Sequence, residues 1–486
     1  MNYSQFLNMI PEATLVLALI IVFCADFALH KSERRSFTLG VLTGALLLCQ
    51  LVPCFVAGPA EAFGGLYVTT PIVNVMKVIL TAGTFIVVVM SQAWLEAPLV
   101  TEGKAYRYPG EYYMLLLSTL LGMYMMLSSG SFLMFFLGLE MASVPMACLV
   151  AFDKHKKDSA EAAAKYILVA TFSSGVMLFG ISFIYAATGS HYFDNVAQVI
   201  TAKPISIIGM VFFFSGLGFK ISLVPFLFWT ADTYQGAPTP VTGYLSVVSK
   251  GAATLTLAII LVKVFGSMVA WWQPLLWIVI MLTITVGNLM AIRQTELKRF
   301  MAFSSISQAG YIMLAVIGAN PAASQTALTF YVLVYVVANM SVFSVISAVE
   351  HRAGAGTQMS AYNGLYQTNP KLAFIMTIAL FSLAGIPPFA GMFSKFFVFM
   401  AGVDGQHGMP FWPYFVVFIA LINTVVSLYY YLLIVKAMYI KKEDNPLPTF
   451  AHGRAINASL TICTVGIVLF GVCSCIYQWI ANAAGM

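Results

Sequence analysis

Fourteen apolar stretches, each long enough to cross a bilayer, follow one another along this chain. They lie near 10–29, 37–57, 70–91, 112–128, 131–151, 164–187, 205–228, 240–264, 270–291, 300–318, 323–348, 372–402, 411–437 and 455–482. A helix needs about 20 mostly apolar residues to cross a hydrocarbon core roughly 30 Å thick. In lipid, every backbone N–H and C=O must be satisfied within the protein, and runs of this length do so as helices. The expected fold class is an all-α polytopic membrane protein with about 14 transmembrane helices. Composition agrees: charged residues are 9% of the chain, against about 25% in soluble domains. The first run is span-length and lacks a basic leader, so it reads as a span and not as a cleaved signal peptide.

The net charge of +6 is no nucleic-acid signal, because its positions explain it. Odd-numbered loops hold Lys31, Arg34 and Arg35, then Lys104 and Arg107, then Lys154, Lys156 and Lys157. Further on they hold Arg293, Lys298 and Arg299, then Arg352 and Lys371, then Lys441, Lys442 and Arg454. Even-numbered loops hold only Lys203. Basic residues mark the cytoplasmic side. Odd loops are therefore expected inside, with both termini on the outer, periplasmic side. An odd number of spans would break this alternation.

Two spans are irregular. Residues 211–250 read VFFFSGLGFKISLVPFLFWTADTYQGAPTPVTGYLSVVSK. An apolar helix here carries Lys220, then Pro225, then a polar segment, and the next span delivers Lys250. Span 12 contains FSLAGIPPFAGMFSKFFVFM, with Pro387 and Pro388 in its middle and Lys395 beyond. Proline removes a backbone donor and breaks the helical ladder. At membrane depth such a break is tolerated only inside protein or beside water. Paired broken helices in oppositely oriented halves point to an inverted-repeat transporter. The expected organisation is spans 1–3 in residues 1–111, one five-helix repeat (spans 4–8) in 112–264 and its inverted counterpart (spans 9–13) in 265–437. A C-terminal loop and span 14 fill 438–486. Spans 7 and 12 are expected to be discontinuous.

Glu140, Lys220, Lys250 and Lys395 fall deep within spans 5, 7, 8 and 12. A charge at the bilayer centre costs about 2.5–3.5 kcal/mol on insertion scales, so such residues are functional candidates by default. Lys165 lies nearer the inner end of span 6 and has the reach to snorkel. Lys77, Lys263 and Asp26 lie near span ends and also suit ion pairing or snorkelling. The chemistry favours protons: burial disfavours a lysine's charged form and a nearby carboxylate favours it. Glu140 with Lys220 is the natural switch pair, with Lys250 receiving the proton and Lys395 passing it outward. A row of lysines repels Na⁺, which also asks for several oxygen ligands. The six histidines (His30, His155, His191, His351, His407 and His452) all fall in loops or at span edges. Water, Tyr244, Ser246, Ser249 and Thr254 are the candidate bridges. The seven cysteines read as small buried hydrophobes. No nucleotide, Fe–S or haem motif is present, so no cofactor is expected in this chain.

The run KISLVPFLFWTADTYQGAPTPVTGYLSVVSK resembles the signature of the antiporter-like membrane subunits of respiratory complex I, the proton-translocating NADH:quinone oxidoreductase. So do LKRFMAFSSISQAGYIML (297–314) and AGIPPFAGMFSKFF (384–397). The resemblance covers nearly the whole chain. Within the family, three features select one branch. They are the run at 159–190, the modest length, and lysine at 395 where another branch has glutamate. The resemblance implies two inverted five-helix repeats, a Glu140–Lys220 switch, a central Lys250, a terminal Lys395 and a role for Lys165. It implies membership in a redox translocase whose FMN, Fe–S clusters and quinone lie in partner subunits, with no redox chemistry here. It also implies a bacterial plasma (inner) membrane. Many relatives carry histidine where this chain has Leu227 and Gln308, and glutamine carries no proton at neutral pH. Alternative readings are a subunit of a multisubunit Na⁺/H⁺ antiporter, a membrane-bound hydrogenase subunit, and a structural spacer that no longer pumps.

Overall fold

The structure is a computed structural model describing residues 3–32, 34–96, 108–352, 356–404, 411–441, 447–451 and 453–485. Lys104, Arg107, Lys442, His407 and His452 lie outside the described residues, as do the side chains of His351 and Arg352.

Spans 1 to 6 are Ile10–Ala28, Arg35–Val56, Pro71–Glu96, Pro109–Leu127, Phe132–Val150 and Lys157–Thr188. Span 7 is Pro204–Ile221 followed by Phe228–Gly236, and span 8 is Thr239–Lys263. Spans 9 to 11 are Val269–Ile292, Leu297–Leu314 and Pro321–Arg352. Span 12 is Pro370–Ala384 followed by Ala390–Val403, and spans 13 and 14 are Phe411–Tyr439 and Arg454–Val472. Twelve helices among the described residues are long and apolar enough to cross a membrane. Span 4, diluted by Glu111, Tyr112, Tyr113 and Tyr124, and the two short helices of span 12 complete the expected fourteen. The chain is an integral membrane protein.

Three details depart from the sequence reading. The last apolar run, near 455–482, is not one helix: it breaks at Cys473, and Ser474–Ala484 forms a separate helix. A run of that length exceeds what a bilayer needs. Between spans 1–2 and span 3, strands β1 (Ala60–Ala62) and β2 (Tyr67–Thr69) pair as a small antiparallel hairpin. The cysteines also differ from expectation. Cys54 and Cys463 are buried, whereas Cys24, Cys49, Cys148 and Cys475 are exposed on the outer flanks of helices. A thiol is small and apolar enough to face lipid as readily as core.

Spans 3, 8, 10 and 11 are almost wholly buried, whereas spans 1, 13 and 14 turn most of their surface outward. The central helices carry many Ser, Thr and Asn side chains (Thr81, Thr84, Ser246, Ser305, Asn339), all buried. Polar side chains that would be costly facing lipid are thus shielded by apolar helices. Small residues let helices close up: a Cβ on Gly122 would stand 2.4 Å from Ala142 N, and one on Gly138 2.5 Å from Met126 N. Spans 4 and 5 therefore touch backbone to backbone, the close approach that small residues permit in membranes.

The two breaks share one geometry. Ser222 and Gly385 both adopt positive φ, 69° and 88°. Leu223 N donates to Gly218 O and Ile386 N donates to Phe381 O, each bond closing the half-helix before the break. Phe226 N donates to Leu223 O and Phe389 N to Ile386 O within the breaks. The spans occupy equivalent places: span 4 packs on span 5 as span 9 packs on span 10, and span 6 on span 7 as span 11 on span 12. The fold is two inverted five-helix repeats with spans 7 and 12 discontinuous.

Candidate functional site

Lys220 lies in the last turn of the first half-helix of span 7 and is buried. Its Nζ donates to Ser143 Oγ at 2.7 Å and to Tyr166 Oη at 3.3 Å. Ser143 stands one helical turn beyond Glu140 on span 5, a spacing that puts both on one flank. Glu140 itself is half-buried, between the exposed Leu137 and Val144. No N–O contact within 4.0 Å joins it to Lys220. In this conformation the expected switch pair is open, and Ser143 holds the lysine.

Lys250 is buried and begins a regular helical stretch immediately after a π-helical turn, Leu245–Ser249. Such turns often mark functional positions in helices. Its Nζ donates to Ser305 Oγ at 2.8 Å and sits 5.5 Å from the centre of the Tyr234 ring. Ser305 Oγ also reaches Tyr234 Oη at 3.4 Å. The short second helix of span 7 joins the two lysine environments. Its Trp229 packs edge-on against Tyr166, 5.3 Å between ring centres, and lies 6.5 Å from Tyr234. Tyr166 serves Lys220 and Tyr234 flanks Lys250.

Lys395, also buried, donates to Ala384 O at 3.0 Å and lies 4.8 Å from the Tyr311 ring centre. Ala384 is the last residue of the first half-helix of span 12. Both Lys220 and Lys395 thus sit at the C-terminal end of a broken helix. There the aligned peptide dipoles present negative charge and unsatisfied carbonyls. That field contributes about 0.3–1 kcal/mol, up to about 2 in partly buried sites. It offsets part, not all, of a membrane-centre cost of about 2.5–3.5 kcal/mol.

Between Lys250 and Lys395 stands Gln308. Its Nε2 donates to Leu383 O at 3.2 Å and to Tyr431 Oη at 3.2 Å, and its Oε1 accepts from Tyr331 Oη. Tyr431 Oη is hydrogen-bonded in turn to Ser304 Oγ, next in sequence to Ser305. A glutamine with one acceptor and two donors fills each of these places without ionising. Leu227, at the other position where many relatives carry histidine, is buried and precedes the short helix Phe228–Gly236.

Lys165 belongs to a different setting. Its Nζ pairs with Glu161 at 2.7 Å and with Asp232 at 2.8 Å, and it is 44% exposed. Asp232 also takes Arg299 Nη1 at 2.7 Å. Lys263 pairs with Asp194 and Asp26 with Arg35, each at 2.7 Å. Of the hydroxyls expected as bridges, Ser246 accepts from Asn339 Nδ2 at 2.7 Å and Tyr244 pairs with Thr119 at 2.8 Å. Thr254 bonds only its own helix, and Ser249 Oγ has no partner. The groups found around the lysines are instead Ser143, Tyr166, Tyr234, Ser305 and Gln308. Ser143 was readable as three residues after Glu140; the others come together only in three dimensions. No cluster of three or more His, Cys, Asp or Glu suited to a metal occurs among the described residues.

A bundle of inverted repeats with broken helices and buried lysines at the breaks defines an antiporter-like membrane subunit. Residues 129–435 match the family model described as NADH:quinone oxidoreductase/Mrp antiporter, TM. NADH-quinone oxidoreductase subunit N of Phocaeicola vulgatus is 51% identical over 484 residues, covering 100% of each chain. Subunit N of Azobacteroides pseudotrichonymphae is 48% identical, covering 99% of this chain and 98% of that one. A chain of respiratory complex I from Thermus thermophilus matches in structure with TM-score 0.74 and 28% identity, over 95% of this chain and 97% of that one. This chain belongs to the NADH-quinone oxidoreductase subunit N family.

Proposed function

We propose that this chain is a proton-translocating membrane subunit of NADH:quinone oxidoreductase. It moves H⁺ outward through Glu140, Lys220, Lys250 and Lys395 while quinone is reduced in other subunits. One observation carries the reading. Lys220, Lys250 and Lys395 are each held by neutral oxygen or an aromatic face, and among the described residues none of the three has a carboxylate within 4.0 Å. Burying an ammonium without a carboxylate is costly, so its retention at three places along one line asks for a compensating task. One left on hydroxyls and a carbonyl is free to exchange its proton when a neighbouring charge moves. Closing Glu140 onto Lys220 would hold the proton there; opening it would release the proton past Tyr166, Trp229 and Tyr234 toward Lys250. Lys165 tunes the inner end through Asp232.

The repeat boundaries follow as 112–264 and 265–437, with 1–111 and 438–486 as flanking helices. Partners are the other membrane and peripheral subunits of complex I, which carry FMN, Fe–S clusters and quinone, together with membrane lipid. The location is a bacterial plasma membrane with both termini outside. The family description also names Mrp antiporters, which keeps a cation/proton antiporter subunit as the second reading.

Purification of the tagged chain from its native membrane in mild detergent separates the two. Flavin, Fe–S and quinone-site subunits with NADH:quinone activity are expected among the co-purifying proteins. Small antiporter subunits alone, with no NADH oxidation, would move the assignment to the second reading. A finer test concerns Gln308. Gln308→Leu leaves the Tyr331 hydroxyl without its acceptor in the interior and cuts Tyr431 back to its bond with Ser304. It is expected to lower NADH-driven proton transport by about fivefold, with the complex still assembled, if the chain between Lys250 and Lys395 conducts. Transport at the level of the unmodified protein would remove Gln308 from the path.

A further inference from the structure

A buried ion pair lies outside the lysine line. Glu12 of span 1 and Lys77 of span 3 meet at 2.6 Å, both almost fully shielded. Tyr67 Oη, on strand β2, donates to the other oxygen of Glu12 at 3.0 Å and accepts from Lys77 Nζ at 3.3 Å. The rings of Tyr67 and Tyr124 flank the ammonium at 5.4 and 5.5 Å. Tyr67 also bridges to Ser129 in the turn between spans 4 and 5, so the pair sits at the hairpin end of the bundle.

Lys77 is also one member of a polar row. Asn74, Lys77, Thr81, Thr84 and Ser91 recur at helical spacing on one side of span 3, and all are buried. On an amphipathic surface helix such a row would meet water; here it is enclosed. Span 4 answers it with hydroxyls. Tyr124 Oη is hydrogen-bonded to Thr81 Oγ1 and lies 3.2 Å from Cys54 Sγ. One step further along span 4, Thr119 Oγ1 meets Tyr244 Oη of span 8 at 2.8 Å. Tyr244 precedes Lys250 by six residues on the same span. The row runs from Tyr244, on the span that carries Lys250, to Thr81 and Tyr124, which both donate to the Lys77 backbone carbonyl, with the Tyr124 ring over the ammonium.

We infer that Glu12 and Lys77 form a further proton-exchange site, at the hairpin end of the bundle, reached from the Lys250 helix along the hydroxyls of spans 3 and 4. The inference rests on the proton-translocating reading above. The step conserves charge: the Lys77 ammonium gives H⁺ to the Glu12 carboxylate, leaving a neutral amine and a neutral acid. Glu12 then releases H⁺ past Tyr67 to the hairpin side, and Lys77 regains H⁺ from the side of Thr81 and Tyr124, by way of water across the 5.5 Å that separates its ammonium from the centre of the Tyr124 ring. A tether between spans 1 and 3 alone would need no ionised groups, since apolar replacements of buried ion pairs are often neutral or stabilising.

The test uses whole complex in inverted vesicles, reading proton uptake and NADH oxidation together. Glu12→Gln keeps hydrogen bonds to Lys77 and Tyr67 but binds no exchangeable proton near neutral pH. The double variant Glu12→Gln/Lys77→Met removes both charges and relieves the unpaired lysine. Both are expected to lower protons moved per NADH by about twofold or more, with assembled complex unchanged on native gels. The unmodified ratio in the double variant, with Lys250→Met abolishing transport, would leave the pair a tether and sink this inference alone. Retained transport in Lys250→Met would instead overturn the reading it rests on. If Glu12→Gln reduces assembly, Thr81→Val and Tyr124→Phe decide, because each removes only a hydroxyl. A normal ratio in both overturns the inference, and a lowered ratio in either supports it.

Discussion

Lys250→Met is expected to abolish NADH-driven proton uptake, by about tenfold or more, while the protein folds and assembles normally. Methionine is close to lysine in length, unbranched and adaptable in packed interiors. It removes a buried charge that has no carboxylate partner, so no opposite charge is stranded. Ser305 keeps its bond to Ala302 O at 2.8 Å when the ammonium leaves. The structural consequence is therefore small and the chemical one complete: the acceptor between the Tyr234 side and the Gln308 side is gone. Quenching of a ΔpH-sensitive dye in inverted vesicles energised with NADH measures this. Full quenching at normal NADH oxidation would exclude Lys250 from proton movement.

Gly391→Ala is expected to fail at an earlier stage, with about a tenfold or greater loss of folded protein. A Cβ at Gly391 would stand 1.6 Å from Ser382 O and 2.5 Å from Ser382 C. Both are backbone atoms of the preceding half-helix, so no side chain swings aside to make room. Gly391 N also donates to Ser382 Oγ at 3.2 Å, which stitches the two halves of span 12 together. Forcing them apart moves the Leu383 and Ala384 carbonyls that hold Gln308 and Lys395. Gly175→Ala is the control, because a Cβ there meets nothing within 4 Å. Size-exclusion profiles of fluorescently tagged variants in mild detergent report the difference. A normal monodisperse peak for Gly391→Ala would show that span 12 tolerates a wider break.

The spans and the two breaks were legible because hydrocarbon thickness and proline chemistry act on local sequence. Lys220, Lys250 and Lys395 were legible because a charge deep in an apolar run is costly wherever the run packs. Their partners were harder to read. Ser305, Tyr234 and Tyr166 are ordinary residues in their own helices, and only the crossing of spans 6, 7, 8 and 10 gives them a role. Glu140 illustrates the limit in another way. Its depth was evident, but its half-buried position on the flank of span 5, out of contact with Lys220, depends on how the helix is rotated. Glu12 gives no signal in the sequence, because it stands only a few residues into the first run, where a carboxylate passes for an interfacial one. The end of span 14 is hidden in the sequence because Cys473 carries no helix-breaking signature.

The Asp232 carboxylate has one oxygen on Lys165 of span 6 and the other on Arg299 at the start of span 10. The nine-residue helix that carries it also holds Trp229 and Tyr234. In mechanical terms this helix is pinned at one side chain to spans 6 and 10, and because all three groups are partly exposed the pin is expected to loosen as salt rises.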